Sequence, residues 1–152
     1  MKLTSFSDYT LRVLMYLAMH RGQLATIQAI AESYAISENH LMKVVHQLAK
    51  SGLIESVRGK GGGIRLAVDP AQIRVGQVLR ESEGESPIVE CFSQQNDCRI
   101  SPNCKLAGVL KRAFDGLYAT LDQTTLADLV EKPQAMMRQL KVVRPAGVPP
   151  VA

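Results

Sequence analysis

Two short helices separated by a tight turn restrict the fold of this sequence more than any other feature. The first is predicted from Ile27 to Tyr34, after Thr26, and the second from Glu38 to Ser51, after Ser37. Thr and Ser are favoured N-cap residues, and Gly52 is a favoured residue just beyond a helix end. Short helices joined this closely are typical of a helix-turn-helix, whose second helix enters the major groove of DNA.

A glycine-rich hairpin is predicted directly after the second helix. Residues 53–57 and 64–68 are predicted as strands, and the loop between them reads Arg58-Gly59-Lys60-Gly61-Gly62-Gly63. A hairpin in this position is a wing, because glycines let the backbone approach the sugar–phosphate edge of DNA closely. A phosphate-binding nucleotide loop is the alternative, but that loop requires a G-x-x-x-x-G-K-[ST] motif and a following helix, where this sequence has a strand.

Polar residues early in the second helix and basic residues of the wing are the candidate DNA contacts. Asparagine pairs with adenine, lysine reaches guanine or phosphate, and basic wing residues meet phosphates or enter the minor groove. Residues 38–65 contain five Lys or Arg and two Glu, so this segment is positive where DNA is expected. A solvated helix face is the alternative. The candidate residues are Asn39, His40, Lys43, Arg58, Lys60 and Arg65.

One helix is predicted on each side of the winged segment. The first begins near Ser5, with Ser5 and Asp8 as the two partners of a capping box. The second follows Asp69 and ends near Arg80, before an acidic loop at residues 81–87. We therefore predict a winged helix-turn-helix DNA-binding domain over residues 1–80 and a cysteine-bearing loop over residues 81–104.

A long helix is predicted from Cys104 to about Leu121. Its apolar stripe spans ~25 Å or more, which exceeds the groove that one small winged domain offers. A second copy of the same helix is the predicted partner, so residues 104–131 are expected to form a dimerisation region with two-fold symmetry. A capped turn at residues 124–130 is expected to close that interface. The proline-containing tail, residues 132–152, is expected to be disordered.

All three cysteines lie in one polar segment, residues 90–104. Six residues separate Cys91 from Cys98, and five separate Cys98 from Cys104. An odd number argues against a disulfide framework, whereas thiolates are ligands of soft metals and iron–sulfur clusters. Ser101 and Pro102 are predicted to start a helix with Cys104 in its first turn, where backbone N–H groups stabilise a thiolate. From the residues alone, unconnected thiols or a reversibly oxidised pair remain open.

Other features of the sequence limit its compartment and its class of activity. No apolar run approaches the ~20 residues of a membrane span, and Arg12 interrupts the run from Leu11 to Met19 that would otherwise resemble a signal peptide. We expect a cytoplasmic protein with reduced thiols and no membrane partner. No cysteine has a predicted catalytic base beside it, so an enzyme is not expected.

Five stretches resemble the family of winged-helix iron–sulfur regulators that includes NsrR, IscR and RirA. The resemblance covers about residues 1–131 and implies a mainly α fold with a small β-hairpin wing. It also implies a homodimeric repressor of transcription that binds an inverted-repeat operator in double-stranded DNA. The stretches are Leu3 to Tyr9, Ser37 to Val45, Arg58 to Leu66, the three-cysteine segment, and Thr125 to Val130.

The resemblance further implies an iron–sulfur cluster on the three cysteines. NsrR-like members use an aspartate of the other subunit, at the position of Asp8, as fourth ligand to a [4Fe–4S] cluster. IscR-like members have a histidine three residues after the third cysteine, where this chain has Ala107. The pattern favours the branch that senses nitric oxide and releases DNA on nitrosylation, which derepresses nitric-oxide detoxification genes. A [2Fe–2S] cluster, a sensor of iron or cluster supply, and a cluster-free thiol redox switch are the alternatives.

Overall fold

The computed structural model of this 152-residue chain describes residues 2–84, 89–93 and 97–140. The described part is mainly helical with one two-stranded antiparallel sheet, and it confirms the predicted winged-helix fold class. Its helices and strands, in chain order, are α1 (Ser5–Met19), α2 (Ile27–Tyr34), α3 (Glu38–Lys50), β1 (Ile54–Val57), β2 (Gly63–Leu66), α4 (Val75–Glu83), α5 (Lys105–Gln123), α6 (Leu126–Leu129) and α7 (Pro133–Gln139).

The helix-turn-helix has the caps that the sequence predicts. Thr26 Oγ1 accepts a hydrogen bond from the Ala29 amide at 3.1 Å, and Ser37 Oγ accepts one from the His40 amide at 3.4 Å. Ala35 ends α2 with φ of 52°, an uncommon conformation for a residue with a Cβ, and this turns the chain sharply into α3. The apolar face of α3 is buried, as predicted, through Leu41, Val44, Val45 and Leu48.

The wing is attached to the segment that precedes α2. In the antiparallel pair β1–β2, Val57 lies opposite Gly63. Ala25 and Ile64 exchange two backbone hydrogen bonds, of 2.9 and 2.8 Å. A Cβ added to Gly63 would lie 2.7 Å from the Ala25 carbonyl oxygen, so this close backbone approach requires glycine.

The start of α1 differs from the prediction. Thr4, not Ser5, is the N-cap, and its Oγ1 accepts a hydrogen bond from the Ser7 amide at 3.1 Å. Asp8 makes an ion pair with Arg12 and forms no capping box with Ser5. Both Thr4 and Ser5 carry a hydroxyl group that can cap a helix. The contact between Thr4 and α4 determines that Thr4 is the N-cap of α1.

Helix α4 is longer than predicted and includes the first acidic residues of the expected loop. Glu83 accepts hydrogen bonds from the Thr4 amide at 2.8 Å and from Thr4 Oγ1 at 3.0 Å. Burial raises the pKa of the Glu83 carboxyl, but hydrogen bonds from Ser7 and Thr4 outweigh burial and leave that pKa below its usual value. Ser82 donates a further hydrogen bond to Ser7 Oγ at 2.8 Å, so the end of α4 is fixed to the start of α1.

The region beyond residue 131 is also more ordered than predicted. The expected disordered tail begins with α7, in which Pro133 occupies the start of the helix, a position that proline favours. Leu140 packs against the hydrophobic core after α7 ends. The rest of that tail, residues 141–152, lies outside the described residues. No helix in the described part of the chain is long and apolar enough to cross a membrane.

The short helix α6 belongs to the core of its own winged domain. Thr125 and Asp128 form a reciprocal capping box, as the predicted capped turn requires. Leu126 is only 1% exposed and lies within the main hydrophobic cluster. The expectation that this turn serves to close a dimer interface is therefore wrong for Leu126, because its side chain is already packed inside its own subunit.

The C-terminal end of α5 is joined to the segment that begins α4. The Val75 amide donates to the Thr124 carbonyl at 3.0 Å, and the Leu126 amide donates to the Ile73 carbonyl at 2.9 Å. We call this region, residues 73–80 against residues 122–126, the α4–α5 joint. Both backbone hydrogen bonds lie just beyond the end of α5, at Thr124 and Leu126, so they fix the direction in which α5 leaves the domain.

Side chains tighten the α4–α5 joint. Arg80 donates to both carboxylate oxygens of Asp122, at 2.8 and 2.6 Å, and these bonds hold the pKa of Asp122 below its ordinary value. The guanidinium of Arg80 also lies 4.5 Å from the centre of the Tyr118 ring. Gly76 allows this approach, because an added Cβ would lie 2.1 Å from Asp122 Oδ1 and 2.9 Å from the Asp122 amide nitrogen.

Replacing Gly76 with alanine is expected to destabilise the protein by about 1–3 kcal/mol, as overpacking does elsewhere. The matched control is Gly108→Ala in α5, where an added Cβ meets only the flexible end of Arg112 at 3.7 Å. That control should be neutral or stabilising by up to about 1 kcal/mol, because alanine is the better helix former. Thermal unfolding at one protein concentration measures both variants, and equal stability of the two would contradict the close contact at Gly76.

Candidate DNA interface and cysteine site

Helix α3 exposes the polar side that the sequence assigns to DNA. Asn39, His40 and Lys43 are all exposed. The His40 ring centre lies 6.1 Å from that of Tyr9 in α1, so the orientation of His40 depends on α1. The N-terminal half of α3 is therefore exposed to solvent on one side and packed against the hydrophobic core on the other.

Sequence reasoning missed several exposed residues of α3, among them Met42, His46 and Lys50. His46 and Lys50 follow Asn39 and Lys43 at seven-residue spacing, which returns to the same helix face. Met42, in the same helix, is 55% exposed. The sequence signal for these residues was the predicted buried face of α3. Any residue of α3 outside that face must contact solvent or a binding partner.

The wing carries both free and paired positive charge. Arg58 and Lys60 are exposed and take part in none of the ion pairs within the described residues. Arg65 Nε lies 2.5 Å from Oε1 of Glu55, the residue opposite it in the strand pair. Arg58 and Lys60 therefore have charge available for a phosphate, whereas that of Arg65 is partly neutralised by Glu55.

The three cysteines are half-buried, and no disulfide joins any of them within the described residues. Cys91 lies in the 3-10 turn Glu90–Phe92, and Cys98 follows residues 94–96, which lie outside the described residues. Cys104 is the N-cap residue of α5, because Ser101–Asn103 forms a separate 3-10 turn and α5 begins at the next residue. The long helix therefore begins three residues later than the predicted start at Pro102, and the prediction that places Cys104 inside its first turn is wrong.

The N-terminus of α5 suits an anionic group beside Cys104. No side chain caps this helix, and its first turn contains no acidic residue. The unpaired N–H groups of a helix start carry partial positive charge, which attracts anionic groups. A donor set of three thiols, of which Cys104 lies at a helix start, fits the chemistry of an iron–sulfur cluster. Among the residues that the structure describes, however, no three His, Cys, Asp or Glu side chains form one metal-binding group.

Asp8 is accessible on the surface of α1. Its side chain is 43% exposed, and Arg12 binds both carboxylate oxygens, with Nε at 3.1 Å from Oδ1 and Nη2 at 3.0 Å from Oδ2. The Arg12 guanidinium also lies 5.7 Å from the centre of the Tyr34 ring at the end of α2. Burial raises the pKa of Tyr34 to about 12, although Arg12 acts in the opposite direction. Asp8 is thus connected through Arg12 to the helix-turn-helix.

Helix α5 has an apolar surface that the described part of the chain leaves uncovered. None of its residues is buried. Leu106, Val109 and Leu117, all from the predicted stripe, are 60, 50 and 39% exposed. An apolar stripe of this kind on a 19-residue helix is suited to packing against another helix.

Comparison of the sequence with known proteins identifies related regulators. Residues 3–132 match the Rrf2 family, described as an iron-dependent transcriptional regulator. The HTH-type transcriptional regulator NsrR of Bacillus subtilis is 50% identical over 144 residues, covering 93% of this chain and 99% of that protein. The NsrR of Geobacillus kaustophilus is 43% identical over 143 residues, covering 93% of this chain and 97% of that protein.

Solved structures of regulators share the fold. The IscR of T. potens matches with a TM-score of 0.71 and 29% identity, over 90% of each chain. The oxidised form of Staphylococcus aureus CymR matches with a TM-score of 0.69 and 32% identity, over 86% of this chain and 97% of that one. The predicted resemblance to an NsrR-like regulator is confirmed by these relatives together.

Replacing Lys60 with alanine is expected to weaken binding to operator and to unrelated DNA alike. One lost phosphate contact should reduce the slope of log affinity against log salt by about one unit. The control is Lys111→Ala, because Lys111 lies on α5 and pairs with Asp115 at 2.7 Å. Titrations of labelled duplexes at several salt concentrations measure both slopes. An unchanged slope for Lys60→Ala would remove the tip of the wing from the DNA interface.

Proposed function

This chain belongs to the Rrf2 family of transcriptional regulators, and we propose that it is a repressor whose iron–sulfur cluster reports nitric oxide. The family and its relatives make it a DNA-binding regulator of transcription and not an enzyme. The observation that carries the finer proposal is the combination of three half-buried cysteines with an accessible carboxylate at Asp8. A protein of this kind works beside the chromosome, so we place it in the cytoplasm.

DNA binding in this proposal uses a homodimer. The uncovered stripe of α5 is the surface on which a second copy docks, and the two α3 helices then read the two halves of an inverted repeat in double-stranded DNA. Asn39, His40 and Lys43 contact base edges in the major groove. Arg58, Lys60 and Arg65 contact phosphates or the minor groove at each side.

Three thiolates and one carboxylate form the proposed sensing site. Cys91, Cys98 and Cys104 would hold the cluster, and Asp8 of the partner subunit would supply the fourth ligand to a [4Fe–4S] centre. When bound, the cluster would supply iron that nitric oxide attacks. A carboxylate is a hard ligand and holds an iron–sulfur corner less tightly than a thiolate does, so Asp8 is the ligand most readily displaced.

Arg12 supplies a physical connection from this site to DNA binding. In the chain described here Asp8 is bound by Arg12, which also contacts the ring of Tyr34 at the end of α2. A carboxylate of Asp8 bound to iron would have less negative charge available for this guanidinium, so its release would strengthen the Asp8–Arg12 pair. We propose that this exchange shifts α2 relative to α3 and lowers the affinity of the dimer for its operator.

A sensor of iron or cluster supply is the second candidate function. The description of the matching family as iron-dependent favours it. It uses the same three cysteines, but loss of the whole cluster, rather than nitrosylation, is the signal. Operator binding that depends on iron supply and ignores nitric oxide distinguishes it from the first proposal. A thiol switch without a cluster is distinguished by colourless, metal-free protein that responds to oxidants.

Asp8→Asn is the variant that tests the sensing site. Asparagine keeps the size and much of the hydrogen bonding of aspartate but loses the anionic ligand. We expect the variant to fold, dimerise and assemble a cluster on its three cysteines, with an altered visible absorption spectrum and an altered rate of reaction with nitric oxide. Its operator affinity should fall, because without the anionic ligand α1 is no longer held to the cluster of the partner subunit. Anaerobic absorption, stopped-flow mixing with nitric oxide and operator titration measure these effects.

The matched control is Asp115→Asn, which also breaks a surface ion pair between residues four apart on a helix. Such exposed pairs contribute about 1 kcal/mol or less, so its spectrum and reaction rate should equal those of the wild type. If Asp8→Asn matches the wild type as closely as this control does, Asp8 is an ordinary surface carboxylate and the four-ligand site is wrong.

A further inference from the structure

Met42 is a large apolar side chain exposed on the helix that we assign to the major groove. It is 55% exposed, although its neighbours Leu41 and Val44 in α3 are fully buried. Three other exposed large apolar side chains share the uncovered stripe of α5, where a second copy accounts for them. Met42 is the one such side chain on the described surface of α3, and neither the core nor the α5 stripe accounts for it.

The place of Met42 on α3 puts it among the residues that reach base edges. It is the fifth residue of the helix, which begins at Glu38 after the Ser37 cap. Asn39 precedes it by three residues and His46 follows it by four, so the three side chains are neighbours on the helix surface. His40, two residues away, lies on the opposite flank, towards Tyr9 of α1. Met42 therefore points away from α1, beside the polar residues of the proposed interface.

The chemistry of the major groove offers one partner for such a side chain. The C5-methyl group of thymine is the apolar group that base pairs display there. Methionine carries no charge or strong hydrogen-bond donor with which to bind a phosphate or a base edge. Its unbranched, flexible and polarisable side chain adapts well to an apolar contact of irregular shape.

We propose that Met42 recognises the methyl group of one thymine in each half of the operator. The contact adds a preference for thymine at one position, which Asn39 and Lys43 do not provide. This inference rests on the proposed placement of α3 in the major groove, and it assigns to Met42 a part of the sequence preference of that helix.

Operators in which single thymines are replaced by deoxyuridine test this assignment, because the replacement removes only the methyl group. For the wild-type dimer, we expect one position in each half-site at which the replacement weakens binding about fourfold, the value of one buried methyl group. Replacement in both half-sites should weaken binding about sixteenfold on the same basis. Met42→Ala should bind the natural operator about as weakly as the wild type binds the doubly replaced one, and deoxyuridine should cost it nothing further.

Two further variants serve as controls. Met42→Leu keeps a large apolar side chain and should keep most of the deoxyuridine penalty. Lys43→Ala should weaken binding overall but retain the full penalty, because its own contacts do not involve the methyl group. Met42→Ala should leave the salt dependence of binding unchanged, since no phosphate contact is lost.

Each contrary result has a separate meaning. If Met42→Ala retains the full deoxyuridine penalty, or if the wild type has no thymine with such a penalty, the assignment of Met42 is wrong while the proposed function stands. If the wild-type protein shows no preference for any operator over unrelated DNA, both the proposed function and the assignment of Met42 are wrong.

Discussion

The α4–α5 joint is the contact on which the relation between the two halves of this protein depends. Arg80 grips both oxygens of Asp122, and Gly76 leaves room for the Asp122 backbone to approach α4. The backbone hydrogen bond from Val75 to Thr124 continues the contact past the end of α5. Because close-packed contacts of this kind transmit displacement instead of absorbing it, α5 behaves as a rigid extension of the winged domain. The cysteine at its other end, Cys104, is thereby connected to the DNA-binding half.

Helix α1 connects the remaining parts. Its first residues are held by the last turn of α4 through Thr4 and Glu83, and its body packs against both α3 and α4. Asp8 and Arg12 lie on the same helix, and the ring of Tyr9 is close to His40 of α3. A change at Asp8 is therefore one helix away from the DNA-facing side chains. In the proposed function, this arrangement lets a ligand exchange at the surface of α1 alter DNA affinity without unfolding any element.

Local chemistry in the sequence is sufficient to predict the winged helix-turn-helix. The caps at Thr26 and Ser37 bind backbone amides only three residues away. The glycines of the wing likewise determine the local turn. Both features can therefore be predicted from the sequence without knowledge of the tertiary structure. The predictions are wrong where contacts between residues distant in sequence determine the local structure. Thr4, and not Ser5, is the N-cap of α1 because Glu83 accepts a hydrogen bond from the Thr4 side chain. Helix α7 begins at Pro133, in a segment whose proline content predicted disorder.

The candidate site also contains features that local sequence predicts and features that depend on tertiary contacts. The polar positions of α3 and the wing were predictable from helical spacing and charge, whereas the exposure of Met42 and the pairing of Arg65 with Glu55 required coordinates. The grip of Arg12 on Asp8 is a contact within one helix, but its extension to Tyr34 joins residues that are distant in sequence. The ligand set of the cysteines rests on donor chemistry and family membership, since the sequence spacing fits several thiol chemistries.

Native mass spectrometry of protein purified without oxygen, mixed with operator duplex and titrated with nitric oxide, tests the central claim most directly. We predict a dimer that carries the mass of one [4Fe–4S] cluster per subunit and is bound to DNA at the start. Stepwise addition of nitric oxide should add mass to the protein and release free duplex in parallel. A metal-free dimer that binds the duplex equally well, and keeps it throughout the titration, would contradict the claim.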